Sequence, residues 1–318
     1  MAKEEPKASA DEPTNPYDDL RKRLFADDDC TIVEALSLDV RALLSPSLSL
    51  PDAIASLLAE SEIIFTGLLA TIVTVFRVSD TIALKVTSRN SAASESRTLH
   101  YLQEQLPDFP APKPHGIIQL GGYYLLFTTF MGSHNLKEVW PQLDDVQKQG
   151  VSTQLENLMS RLRSLPRPEH TPFGDVADGI CTDLRRGTRS NENPITSARE
   201  FDDFMFSGTQ YATPSYVQFL RNFKVDLPTQ CVFTHGDLHP GNIISEQAED
   251  GSWQIAGIID WENSGFYPGY WEAVKMTNCL VASDASDWYL YLPESVAPQR
   301  YPIEWLVDRL LGWHLKNN

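Results

Sequence analysis

Residues 233–244 read FTHGDLHPGNII, and after a short gap residues 254–262 read QIAGIIDWE. A loop of two histidines, an aspartate and an asparagine is held between strand-like apolar runs, and the second run ends on a lone aspartate. Asp237 precedes Asn242 by five positions, so a carboxylate and an amide oxygen share one short loop. Any fold for this chain has to present that loop and Asp260 together on a rigid frame.

Length bears on the frame. With 318 residues the chain exceeds what one hydrophobic core usually supports, and two lobes with a cleft are expected. The hydrophobic fraction of 42% is that of an ordinary globular protein. A net charge of −17 argues against nucleic acid as a partner, because such affinity comes from Lys and Arg neutralising phosphates. An acidic surface serves solubility first and favours cationic small molecules second. The uncharged run at 63–76, IIFTGLLATIVTVF, falls short of the roughly 20 residues a bilayer needs and reads as two buried strands with a turn. Cys30, Cys181, Cys231 and Cys279 are far apart with no metal-ligand spacing, which fits free thiols in a reducing cytoplasm. Nothing in the chain sets an oligomeric state.

Organisation follows from patterning. Residues 1–45 read as an acidic, disordered or short-helical extension. LPDAIASLLAESE, from Leu50, reads as a helix with Pro51 in its first turn. Residues 62–86, rich in Ile, Val, Thr and Phe with a break at RVSDT, predict two or three antiparallel strands. SAASESRTLHYLQEQL then predicts a helix with Glu95, Leu99, Leu102 and Leu106 on one face, stopped by the prolines of LPDFPAPKPHG. Strand character resumes around a Gly-Gly turn. Beyond Gly132 the pattern is mainly helical, with a loop-and-strand island at 231–260. The expected fold is α+β and two-lobed: a small β-rich lobe with one helix at 46–131, a hinge near Thr128 to Gly132, and a larger helical lobe at 132–318.

The Asp237-to-Asn242 step equals that of the kinase catalytic loop, H-R-D-x-x-x-x-N. Transfer of a γ-phosphoryl group needs a positioned nucleophile and oxygen ligands for a hard cation within a few ångströms of each other. Asp260, at the end of QIAGII, stands where kinases carry D-F-G. In TIALKV, Ala83 and Lys85 share one side of a strand, as in V-A-I-K. A glutamate on the next helix should partner the lysine. Glu95 is the candidate, and Glu104 on the same helix is the other choice.

With these motifs, the chain resembles the aminoglycoside phosphotransferase family, a branch of the protein-kinase-like fold that also takes in choline and related small-molecule kinases. HGDLHPGNI, IIDWE and YPGYWE are similar to its filamentous-fungal branch in particular. The resemblance runs from about Ser61 to about Lys275. It implies ATP and Mg2+ as cofactors and a small-molecule acceptor. By resemblance, Asp237 is the catalytic base, Asn242 and Asp260 are magnesium ligands, and Lys85 with Glu95 positions the phosphates. Adenine lies on the hinge near Thr128, Phe130 and Met131. His235 is a brace of the loop, and His239 either contacts phosphate or packs.

The departures are as informative. Gly67 in FTGLLATIV replaces a full G-x-G-x-x-G, Gly236 stands where protein kinases have Arg, Trp261-Glu262 replaces Phe-Gly, and no A-P-E follows. The missing activation segment argues for a constitutively formed small-molecule site over a regulated protein kinase. A catalytically inactive, kinase-like binding module is the other alternative, against which the complete set of Lys85, Asp237, Asn242 and Asp260 speaks. The acidic stretches near Asp144, at Asp175, Asp178 and Asp183, and near Asp202 are either amine-binding groups or solvated helix ends. Trp271 and Glu272 read as packing and helix-anchoring residues.

Overall fold

A computed structural model describes residues 16–26, 29–68, 72–132, 134–176, 178–183, 185, 189–207, 212–224 and 230–317. Residues 1–15 of the expected tail and 69–71 of the stretch after Gly67 lie outside the described residues. The chain divides into two units, Met1–Ala92 with His115–Phe130 and Ala93–Pro114 with Met131–Asn318.

The smaller unit runs α1 (Pro16–Leu24), β1 (Cys30–Glu34), α2 (Leu38–Leu43), α3 (Leu50–Glu60), β2 (Glu62–Thr66), β3 (Val73–Arg77) and β4 (Ile82–Thr87). After α4 (Ser91–Gln105) come β5 (Pro114–Leu120) and β6 (Tyr123–Thr129). The strands form one sheet in the order β1-β5-β6-β4-β3-β2. Val75 and Leu126 flank Lys85 across the antiparallel β3–β4 and β4–β6 pairs. Ser49 caps α3 by accepting the Asp52 N–H, and the helix buries Ala53, Ile54 and Leu58 at helical spacing.

Two expectations change here. α1, β1 and α2, expected as an acidic, disordered or short-helical extension, are part of the sheet's core and edge: Leu20 and Leu24, one turn apart on α1, and Val40 of α2 are fully buried with Ile54, Phe76, Leu84 and Phe127. β1 pairs antiparallel with β5. The run at 63–76 gives one half-buried strand, β3, and one exposed strand. β2 is an edge strand with a single neighbour, which leaves Ile63, Ile64 and Phe65 exposed.

The larger unit takes in most of α4, then α5 (Leu136–Val139), α6 (Asp145–Arg163), β7 (Thr182–Asp183), β8 (Arg189–Ser190), α7 (Ala198–Phe206) and α8 (Pro214–Arg221). It continues with β9 (Cys231–Thr234), β10 (Ile243–Gln247), β11 (Trp253–Ile258), β12 (Gly265–Pro268), α9 (Trp271–Met276) and α10 (Pro302–Asn317). Two antiparallel pairs, β10 with β11 and β9 with β12, frame the sequence loop singled out above. Leu99 and Leu102 of α4 and Leu155, Met159 and Leu162 of α6 share one core with Phe233, Leu238, Ile243, Ile258, Trp261 and Phe266. The apolar face read for α4 is therefore spent on the unit that carries the loop. No helix among the described residues is long and apolar enough to cross a membrane.

Candidate active site

β9 delivers the loop, and β10 leads away from it. Gly236 sits between them with φ +80°, a left-handed conformation that L side chains rarely adopt, and a Cβ there would stand 2.3 Å from the Asn263 carbonyl oxygen. That close approach accounts for glycine where protein kinases carry arginine.

The loop is held from beneath by one carboxylate. Glu272 of α9, fully enclosed, accepts the N–H of His235 at 2.7 Å and the N–H of Gly236 at 3.3 Å. Burial pushes its carboxyl up to about 7, against the pull of those two N–H donors. Ser264 adds a hydroxyl bond to the His235 carbonyl at 2.8 Å. The His235 ring is the second brace. Its Nδ1 accepts the Asp237 N–H at 3.2 Å and its Nε2–H donates to the Ile259 carbonyl at 3.1 Å, which fixes one neutral tautomer. Burial lowers the ring to about 4, so it stays uncharged and serves as a brace. His239 caps the turn Pro240–Asn242 by accepting the Gly241 N–H at its Nδ1, which answers the packing side of its two readings.

Asn242 joins the two halves. Its Nδ2 donates to the Asp237 carbonyl at 3.0 Å, which leaves its Oδ1 as the acceptor end, and its own carbonyl accepts the Ile259 N–H at 3.0 Å. Asp260 follows immediately in a left-handed conformation, φ +67°. Trp261 is fully buried, and its N–H donates to Glu95 Oε1 at 3.2 Å. Carboxylate oxygens of Glu95, Asp260 and Glu262 all lie within 4.8 Å of one another. The donors gathered here are carboxylates, without thiol or imidazole in the cluster, and that is a set suited to a hard divalent cation such as magnesium.

Asp237 has its carboxyl pushed up, first by burial and then by the charge of Asp260, while His239 and Lys275 pull it down. Lys275 lies one turn after Glu272 on α9, is 7% exposed, and has its ammonium nitrogen 5.9 Å from the Trp271 ring centre. Burial and the neighbouring Arg185 lower its pKa.

The structure thus brings Asp237, Asn242, Asp260 and Glu95 together in the larger unit. Lys85, Thr128 and Phe130 belong to the smaller unit, where Thr128 faces Ala83 across the β4–β6 pair. The Phe130 N–H donates to the Thr81 carbonyl at 2.8 Å and is removed as a donor to any ligand. Met131 opens the second segment of the larger unit and lies against Gly257 of β11, whose added Cβ would meet it at 2.8 Å. The acidic stretches resolve into internal partners. Asp144 caps α6, Asp183 and Asp308 hold the buried Arg185 at 2.9 Å each, and Asp202 holds Lys224 and the Tyr270 hydroxyl. Asp175 and Asp178 engage Arg97.

Sequence reading missed Glu262, Lys275 and the grip of Glu272 on the loop backbone. Their only signal was spacing, Glu262 two residues after Asp260 and Lys275 three after Glu272, and the partners they serve lie far away in sequence.

The family model of the phosphotransferase enzyme family matches residues 72–292, an interval that contains Lys85, Glu95, Asp237, Asn242, Asp260, Glu262, Glu272 and Lys275. The chain belongs to this family. No curated protein matches it by sequence. Among solved structures, this phosphotransferase is similar to APH(4)-Ia in a thermostable apo form, at 15% identity over 80% of this chain and 83% of that one, TM-score 0.53. It is similar to APH(2'')-IIa in a streptomycin–ATP ternary complex, at 13% identity over 83% and 87%, TM-score 0.52. A putative fructosamine-3-kinase from Haemophilus somnus 129PT aligns at 15% identity over 82% and 90%, TM-score 0.50. At these identities the likeness is one of fold: the phosphotransferase has the kinase-like fold of aminoglycoside phosphotransferases.

Proposed function

We propose that the protein transfers the γ-phosphoryl group of ATP, in the presence of Mg2+, to a hydroxyl group of a small metabolite. The observation that carries this reading is the joint between Asn242 and Asp237, with Asp260 and Glu95 gathered beside it in the larger unit. The ATP present in the APH(2'')-IIa complex supports the choice of nucleotide.

In this mechanism Asp237 orients the acceptor hydroxyl and takes its proton as the oxygen attacks the γ-phosphorus. The new O–P bond forms while the bond to the β-phosphate oxygen breaks and ADP leaves. A carboxyl raised by burial is a stronger base than a solvated one, and the loop that presents it is fixed by Glu272 and His235 before substrate arrives. Asn242 Oδ1 and the Asp260 carboxylate would hold magnesium, with Glu262 in reach of the same cluster. When bound, the ion would neutralise charge developing on the phosphate oxygens. Lys85 would take the nucleotide's phosphates, and the backbone of Thr128 to Met131, apart from the Phe130 N–H, would meet its adenine. With the acidic stretches paired internally, support for a cationic acceptor rests on net charge alone.

The test is ADP release across a panel of hydroxylated metabolites, with Asp237→Asn as blank. That variant should bind Mg-ATP normally and turn over about 10²- to 10⁴-fold more slowly, the range for a general acid–base group. Near-normal turnover would remove Asp237 from its role. Mg-ATP binding with no ADP release from any acceptor would favour a non-catalytic nucleotide-binding module.

A further inference from the structure

One bracket in the larger unit has no part in the chemistry just described. The Asp175 carboxylate is 8% exposed and uses both oxygens. Oδ1 closes its own turn by accepting the Asp178 N–H at 2.7 Å and the Gly179 N–H at 3.1 Å. Oδ2 accepts the Ser94 hydroxyl at 3.2 Å and lies 3.5 Å from the Arg97 guanidinium, which also meets Asp178 at 3.1 Å. Ser94 and Arg97 are three apart on α4 and so share a face, while Glu95 projects about 100° from Ser94 and about 160° from Arg97. Two ties on one face fix a helix's rotation about its own axis. Here they aim Glu95.

The other end of the bracket is fixed as well. Gly174 and Phe266 exchange backbone hydrogen bonds of 2.9 and 2.8 Å, and a Cβ at Gly265 would stand 2.0 Å from the Gly174 carbonyl oxygen. β12, which contains Phe266, starts three residues after Glu262. Asp175 and Asp178 therefore hold α4 on one side while Gly174 holds the segment following Asp260 on the other, and Glu95 bonds the Trp261 N–H across that span.

We propose that Asp175 is a positioning residue which, through Ser94 and Arg97, holds Glu95 at the Trp261 N–H and so keeps the carboxylate cluster assembled with no regulatory swing of α4. In protein kinases the corresponding helix is moved into place by phosphorylation of the activation loop. This chain has no A-P-E and replaces the switch with a fixed strap. The geometry stands by itself; its consequence for nucleotide binding rests on the phosphotransfer reading above.

The experiment is amide hydrogen exchange at Trp261, compared among the parent protein, Asp175→Ala, the double variant Ser94→Ala with Arg97→Ala, and Arg97→Lys. The double variant leaves the Asp175 turn intact and separates the strap from loop folding. Exchange at Trp261 should quicken by about ten- to a hundredfold in the first two, the worth of one charge-assisted hydrogen bond, and stay near the parent's in Arg97→Lys. Amides of the β10–β11 hairpin should keep their protection, which reports that the unit is folded. Mg-ATP affinity by calorimetry should fall about tenfold in the same two variants. Unchanged exchange at Trp261 in both overturns the proposal. Faster exchange there in a chain whose parent form binds no Mg-ATP supports the strap and refutes the phosphotransfer reading.

Discussion

Glu272→Gln isolates the cost of burying a carboxyl under the loop that carries Asp237 and Asn242. In the folded chain this group is raised from 4.5 to about 7, with burial the leading cause. Between those values the native state holds a proton that the unfolded chain has lost. Stability therefore falls as pH climbs through the window, and the cost is complete above about pH 7. The separation is worth about 3 kcal/mol between the two protonation states. Glutamine does not titrate, so the variant carries only a pH-independent offset for its altered bonds to His235 and Gly236. The stability of Glu272→Gln minus that of the parent should accordingly rise by about 3 kcal/mol from pH 4.5 to pH 7 and then level off. Urea unfolding at stepped pH, followed by tryptophan emission, reads this directly, since Trp261 and Trp271 are fully buried in the same unit. A difference that stays flat over the window would refute the reasoning and show that the two backbone donors offset the burial.

Three further outcomes follow from the same frame. Gly236→Ala should lose about 1–2 kcal/mol for the left-handed backbone and more for the overlap with the Asn263 carbonyl, seen as a lower urea midpoint. Asp183→Ala should cost about 3–5 kcal/mol by thermal or urea unfolding, because it strips one of two carboxylates from a guanidinium whose side chain is 6% exposed. Asn242→Leu should abolish magnesium-dependent ATP binding in calorimetry and loosen Asp237, whose carbonyl loses its donor; affinity equal to the parent's would remove Asn242 from the metal site.

Much of this was legible in the sequence where a function is carried by neighbours in the chain. Asp237 and Asn242 share an eight-residue loop, Asp260 lies two residues past the strand beside it, and the face of α4 with Glu95, Leu99 and Leu102 turned inward as its periodicity predicts. Reading failed where a partner is remote or a backbone shape decides. The bond from Ser94 to Asp175 spans 81 positions and has no local signature. Glu272 was legible as an anchor, yet what it anchors lies 36 residues upstream. The run at 63–76 was apolar enough for two buried strands, but burial depends on neighbours across the sheet, and β2 has only one. Residues 1–45 read as an acidic, disordered or short-helical extension; Leu20 and Leu24 of α1 and Val40 of α2 bind those two helices to the core.

The backbone at Asp260 has an implication for how this chain can change by mutation. A φ of +67° is comfortable for glycine and tolerated by aspartate and asparagine, and it penalises almost every other side chain. Asparagine is one base away from aspartate in the genetic code. It would keep the backbone at rest and remove one charge from the carboxylate cluster. A one-base path from this protein thus leads to a relative with an intact backbone and a less charged cluster, whereas a valine or leucine at the same position would first have to survive a misfit in the backbone.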